Sequence, residues 1–163
     1  MTTHTGFTFF WRADSPFSQW HRSSFTVDGT TFTYAEQYMM HAKAMLFGDI
    51  EIAEQILATD SPREQKSLGR KVRGFDQSVW ERERENIVRT ANRAKFTQNE
   101  GLRQKLMATG DTELVEASPV DRIWGVGLAA DDPRITRRET WRGLNLLGKI
   151  LTELRDELRA GDS

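Results

Sequence analysis

The stretch Thr33-Tyr34-Ala35-Glu36-Gln37-Tyr38-Met39-Met40-His41-Ala42-Lys43-Ala44 decides how this chain is read. Its composition predicts a helix over about Tyr34 to Phe47, with Thr33 as N-cap and Gly48-Asp49 as the stop. Glu36 and Lys43 are seven residues apart, two helical turns, so they project from nearly the same side. A carboxylate and an amine on an otherwise apolar face are costly to bury idly. Either they pair or reach solvent, or they line a pocket and react. Each also has a plainer reading. Thr33 and Glu36 fit the S/T-x-x-E capping box, and a helix lysine is ordinarily solvated.

Outward from this helix, the N-terminal Phe7, Phe9 and Trp11 alternate as in a short strand, ended by Ser15-Pro16. Ser24–Val27 and Thr31–Thr33 flank Asp28-Gly29, a hairpin turn signal. Asp49 caps a second helix over Ile50–Leu57 with Ile52, Ala53 and Ile56 on its apolar stripe. Ser61-Pro62-Arg63-Glu64 starts a third helix, with Ser as N-cap, Pro at N1 and an acid at N3, and Gly69 ends it. Asp76 caps a long fourth helix burying Val79, Trp80, Ile87, Val88 and Ala91; Asn99 caps a fifth that stops at Gly110. Leu114–Ala117 and Arg122–Val126 read as short strands around Pro119. A final helix spans about Leu144 to Arg159, with Leu147, Ile150, Leu151 and Leu154 at helical spacing. The expected fold is α+β: a mainly helical single domain over residues 1–163 with a small antiparallel sheet.

At 163 residues, 37% hydrophobic and 29% charged, the chain is long enough to bury a core. It has no cysteine, which excludes disulfides, thiolate metal sites and cysteine nucleophiles, and favours an intracellular, cytoplasmic setting. The start, MTTHTGFTFFWRAD, reads as neither signal peptide nor anchor, and no apolar run suits a bilayer. His4, His21 and His41 lack metal-ligand spacing. The net charge of −1 gives no general attraction to nucleic acid. The charge is uneven, however. Residues 63–95 carry ten Lys and Arg against five acids, and residues 111–133 carry six acids against Arg122. These are two solvated faces, or a basic wall for phosphate and an acidic wall for a sugar.

Several groups then stand as candidates. Trp80 has a core role by default. Trp124, followed by Gly125, suits either a buried indole before a turn or a face for a planar base beside approachable backbone. Asp121 caps a turn or stabilises positive charge on a sugar. Gly69-Arg70-Lys71 is a phosphate-type cluster without P-loop spacing. Gly143-Leu144-Asn145 at the start of the last helix offers a cap or an anion site.

Taken together, EQYMMHAKA, LGRKVRGFD, a Trp helix ending in KFTQN, LVEASPVDRIWGVGL and GLNLLG, in this order, resemble the NADAR (YbiA-like) family from about Phe9 to Leu158. The resemblance implies a mainly helical α+β domain and an N-glycosidase, a hydrolase that parts ribose from a base. It implies either of two substrate groups: phosphoribosylamino-pyrimidine intermediates of riboflavin biosynthesis, or ADP-ribosylated guanine, free or on nucleic acid, whose hydrolysis reverses ADP-ribosylation. By position, the family's acid falls on Glu36, its helix lysine on Lys43, its aromatic residues on Trp80 and Trp124, its aspartate on Asp121 and its asparagine on Asn145. The usual Ser-Asn is here Ser18-Gln19, the usual Gly-Lys-Asn is Gly143-Leu144-Asn145, Val126 replaces an acid, and Ala129–Glu139 is longer than in some members. These departures bear on the polar end of a substrate more than on the reaction.

Cleaving a ribosyl C–N bond builds positive charge on the anomeric carbon, and the base must leave protonated. One route pairs two carboxylates, Glu36 and Asp121. The other has Lys43, desolvated by an apolar helix face, attack that carbon to form a Schiff base while Glu36 moves protons. The spacing favours the lysine route, because it places Glu36 beside Lys43 and nothing local places Asp121. Trp80 and Trp124 with Gly125 would hold the base or sugar, Arg70 and Lys71 the phosphate, and Asn145 a polar group; no cofactor or metal is required. The partner is a small nucleotide or ADP-ribose substrate, not a membrane. The competing reading is a module that binds ADP-ribose or a nucleotide without turning it over.

Overall fold

The computed structural model describes residues 2–4 and 6–161. It is a mainly helical α+β structure whose contacts fall into two compact units. One is formed by the chain up to Ser18 and from Glu100 onward; the other is Gln19–Asn99. No helix among the described residues is long and apolar enough to cross a membrane.

The first unit holds a three-stranded sheet of β1 (Thr2–His4), β2 (Phe7–Phe10) and β5 (Glu113–Glu116), in the order β1-β2-β5. β1 and β2 are antiparallel, but β2 and β5 are parallel, with Phe9 opposite Val115. A parallel pair needs a long crossover, and here the intervening chain contains the whole of the other unit. β2 is the central strand and is buried along its length rather than alternating. Phe7, Phe9, Val115, Ala117, Val126, Leu128 and Ile135 form its core, with Trp141 packed against them. The helices are α5 (Glu100–Met107) and α6 (Leu146–Gly161), and α6 packs on β5 through an apolar stripe that includes the expected Leu147, Ile150, Leu151 and Leu154. Arg155 is also buried, its guanidinium donating to Thr109 Oγ1 and the Thr112 carbonyl and pairing with Asp156.

Arg122–Val126 is not the expected strand. It is a loop zipped to the chain entering α6: the amides of Leu144, Asn145, Leu146 and Leu147 donate to the carbonyls of Arg122, Gly125, Ile123 and Trp124, and Arg142 N–H donates to Val126 O. No Cβ fits at Gly143, where it would lie 2.3 Å from the Gly125 carbonyl oxygen.

The second unit begins with the hairpin β3 (Phe25–Val27) and β4 (Thr30–Phe32), the antiparallel pair expected from Asp28-Gly29. Both turn residues have positive φ, 50° and 82°, as a type I′ turn demands. Four helices follow: α1 (Ala35–Leu46), α2 (Ile50–Ala58), α3 (Pro62–Gly69) and α4 (Gln77–Gln98). The predicted caps at Asp49, Ser61 and Asp76 all accept backbone N–H bonds. α1 lies against α2, α3 and α4, and is the element on which the others converge.

The close packing of α3 on α1 depends on Gly69. A Cβ there would fall 2.0 Å from Met40 Sδ and 3.0 Å from its Cγ. Gly69→Ala is therefore expected to destabilise the protein by about 1–3 kcal/mol in chemical denaturation, the usual range for overpacking. Unchanged stability would mean that Met40 repacks freely.

Candidate active site

α1 starts one residue later than the sequence suggests. Its N-cap is Tyr34, in extended conformation and without a side-chain cap bond. The Thr33–Glu36 capping box does not form. Instead Thr33 N–H donates to Gln37 Oε1 at 2.8 Å, while the Gln37 amide reaches back to the Ile56 carbonyl. Gln37 thus does the work expected of Glu36, because with the N-cap moved to Tyr34 it occupies N3. Glu36 is 4% exposed, and its backbone is fixed by an N–H bond to Gln19 O. Gln19 also accepts from Asn92 Nδ2 of α4 at 3.0 Å, which ties the start of α1 to α4.

Lys43 is half-buried on the same helix. Its Nζ lies 4.7 Å from the centre of the Phe75 ring and 5.6 Å from that of Trp80. Three influences set its basicity. Burial is the largest and pushes the amine below the ordinary lysine value; the Glu36 charge raises it, and the nearby Arg70 lowers it. The net direction is downward, which leaves more neutral amine near pH 7 than a solvated lysine has. Glu36, Lys43, Trp80 and Arg70 thus come together in one unit. Trp80 is itself buried, whereas Phe75, at 42% exposed, shows its ring to solvent.

Lys71 is exposed and lines a cavity of about 370 Å³ with Gln55, Thr59, Glu64 and Ser67. In the other unit, Asp121 Oδ1 accepts the N–H groups of Ile123 and Trp124 at 2.9 and 2.8 Å, capping the turn. Trp124 is half-buried. A Cβ at Gly125 would meet the Glu116 carbonyl oxygen at 2.9 Å and the Asp121 carbonyl oxygen at 3.0 Å, so protein packing alone requires glycine there. Asn145 is buried at φ 53°; its Oδ1 accepts from Glu116 N–H and its Nδ2 donates to Leu114 O. The α6 N-terminal amides that could have held an anion are spent on the Arg122–Gly125 loop. Of the six acids in residues 111–133, Asp132 forms an ion pair with Arg134, Glu113 with Arg138 and Asp111 with Arg159.

Two features escaped the sequence reading. One is Phe75, which lies inside the LGRKVRGFD motif just before the Asp76 cap but was given no role there. The other is Lys95 on α4, wholly buried, whose amine burial pushes down to about 7. A third, Asp49, is known from sequence as a cap but does more. Its carboxylate accepts from Ile52 N–H, Arg73 N–H and the Arg73 guanidinium, and these bonds hold it well below the usual carboxylate range.

These findings can be set beside known proteins. The NADAR domain family model matches residues 9–159. An "N-glycosidase R617" from Acanthamoeba polyphaga mimivirus is 42% identical over 146 residues, covering 86% of each chain. A "Riboflavin biosynthesis protein VVA0006" of Vibrio vulnificus is 34% identical over 136 residues, 83% of this chain but 33% of that longer protein. The NMR structure of Escherichia coli YbiA superposes with a TM-score of 0.80 at 30% identity, covering 99% of this chain and 89% of that one.

Two outcomes follow for the titration of these groups. Followed by NMR of labelled lysine, the Lys43 amine should titrate below an ordinary lysine, lower still in Glu36→Gln and higher in Arg70→Ala. An ordinary value in all three proteins would remove the desolvated amine. For Asp49, a depressed folded-state pKa contributes stability that is present above the unfolded value of about 4. That contribution is lost as pH falls below it, so Asp49→Asn should flatten the acid limb of a stability–pH curve.

Proposed function

The chain belongs to the NADAR domain family, and we propose that it is an N-glycosidase that hydrolyses the bond between C1 of a ribose and the nitrogen of a base, with Lys43 as nucleophile and Glu36 as proton carrier. The observation that carries this reading is the half-buried Lys43 amine beside buried Glu36, covered by two aromatic rings. A lysine becomes a competent nucleophile at neutral pH when desolvation removes its proton.

In the proposed sequence, Glu36 first gives a proton as the ribose ring opens. Lys43 Nζ then forms a bond to C1, and the C1–N bond to the base breaks, the base taking up the proton that Nζ loses, relayed by Glu36. A protonated imine links C1 to Nζ. Water, deprotonated by Glu36, adds to C1; the C–Nζ bond breaks, releasing a sugar aldehyde that recloses and restoring the amine. One water is consumed, and no redox change occurs. The alternative of two carboxylates is supported less well, because Asp121 Oδ1 already accepts two backbone N–H bonds in its turn.

Two substrate classes fit a ribosyl–base bond: a phosphoribosylamino-pyrimidine, in keeping with the name of the Vibrio relative, and ADP-ribose attached to guanine. Arg70, beside the amine, would neutralise a phosphate of either. The competing reading is a nucleotide-binding module without turnover.

Incubating the wild-type protein with each substrate and weighing the products by mass spectrometry should show free base and free sugar phosphate or ADP-ribose from at least one. Glu36→Gln should lower the rate by about 10²-fold or more while keeping the fold. Tight binding of ADP-ribose with no cleavage of either substrate would favour the binding module. A Glu36→Gln protein that melts early yet turns over normally would make Glu36 structural.

A further inference from the structure

A run of bonds links the end of α1 to the aromatic ring over the Lys43 amine. The end of α1 supplies its first link: Asp49 N–H donates to Ala44 O at 2.8 Å, one residue past Lys43, and Phe47 N–H donates to Lys43 O. From the head of α2, the Asp49 carboxylate grips Arg73 at three points, its backbone N–H (2.9 Å), Nε (3.2 Å) and a terminal guanidinium nitrogen (2.8 Å). This is the fork geometry that arginine makes and lysine cannot. The next residue, Gly74, sits at φ 77°, a left-handed turn that suits glycine. The chain thereby reverses and lays Phe75 against Phe47, ring centres 5.3 Å apart, and over Lys43 Nζ at 4.7 Å.

This arrangement is not explained by core packing. Phe75 is 42% exposed, and the Arg73 side chain is 70% exposed. A ring left so open, lying on Phe47 and over the Lys43 amine, adds little to a core. Only Asp49 is buried, its side chain 1% exposed, and it is spent on the clamp and its own cap.

We propose that Phe75 is the solvent-side wall of the reaction site, the ring that both covers the Lys43 amine and meets the substrate, and that Arg73, through Asp49, is the positioning residue that sets it there. The inference rests on reading Lys43 as the reacting amine. The charged groups that face this amine are Glu36 from α1 and Arg70 from the end of α3, while α4 presents the Trp80 ring. Cover and charge therefore act on the same atom from different elements, and the cover can be changed alone. Removing Phe75 withdraws both a ring face that favours the ammonium and a shield that disfavours it. Burial is the largest influence on this amine and the Phe75 ring, 4.7 Å from Nζ, supplies part of that cover, so the amine is expected to become more basic when the ring is removed.

The test compares wild type, Phe75→Ala, Phe75→Tyr and Arg73→Ala by two readouts: NMR titration of the Lys43 amine, and the pH dependence of hydrolysis of ADP-ribosyl guanosine and of the phosphoribosylamino-pyrimidine. Melting curves establish that each variant is folded. Phe75→Ala and Arg73→Ala should both raise the titration midpoint, and should move the rising limb of kcat to higher pH in the same direction. Phe75→Tyr, which keeps the ring, should retain the wild-type midpoint. A folded Arg73→Ala that titrates like wild type while Phe75→Ala shifts would overturn the positioning role. If neither shifts, the whole proposal falls. If the wild type cleaves neither substrate, the reaction reading fails and Phe75 loses its part in a reaction, whereas the titrations still report whether Arg73 governs the cover of Lys43.

Discussion

The constraint on which this structure turns is the partial dehydration of one ammonium group. Lys43 occupies the last turns of α1, the helix against which α2, α3 and α4 all pack. A lysine in such a place would ordinarily extend to water. Here two aromatic rings stand within 6 Å of its nitrogen and hold it half out of solvent. Dehydration disfavours the charged form, and the buried Glu36 opposes this by attraction. The balance of the two keeps an amine that can lose its proton, yet is not an unpaired buried charge while it holds it. The surrounding unit serves that balance: Gly69 lets α3 come close, Gln19 fixes the backbone of Glu36, and Asp49 ties the loop bearing Phe75 to the end of α1.

The other unit solves a different problem. Its Arg122–Gly127 loop and the entry to α6 are joined by a ladder of backbone bonds that leaves room for glycine alone at Gly125 and Gly143. Asn145, in left-handed conformation at the junction, bonds the backbone of β5 through both ends of its amide. Groups that suggest ligand contact when read one at a time, such as an Asp before a Trp, paired glycines and an Asn at a helix start, are here parts of one hydrogen-bonded corner. Asp121 holds the turn that presents Trp124.

Much of this was legible in the sequence, for a physical reason. Local signals act over a few residues, so Asp28-Gly29, Asp49, Ser61-Pro62 and Asp76 mark turns and helix starts without reference to anything distant. The helical period of the last helix named its buried leucines. The spacing of Glu36 and Lys43 placed them on one side of one helix, and the order of five motifs pointed to the family. What could not be read depended on distant partners. The parallel pairing of β2 with β5 joins segments separated by the whole Gln19–Asn99 unit. Arg122–Val126 has strand-like composition, but its carbonyls are taken by the chain entering α6. The shift of the α1 cap from Thr33 to Tyr34 handed the back-bond to Gln37. Phe75 lies within one of those motifs, but its place over Lys43 was not readable, because the neighbouring Arg73 bonds to an aspartate 24 residues earlier in the chain.

The most direct measurement of the central claim is chemical capture of the imine. The protein is incubated with ADP-ribosyl guanosine, and separately with the phosphoribosylamino-pyrimidine, in the presence of borohydride, then digested and sequenced by mass spectrometry. A Lys43 amine that bonds to the sugar predicts a reduced sugar adduct on the peptide containing Lys43, with turnover lost in step with its formation. Sustained release of free base with no adduct, or with the sugar on another lysine, would contradict it.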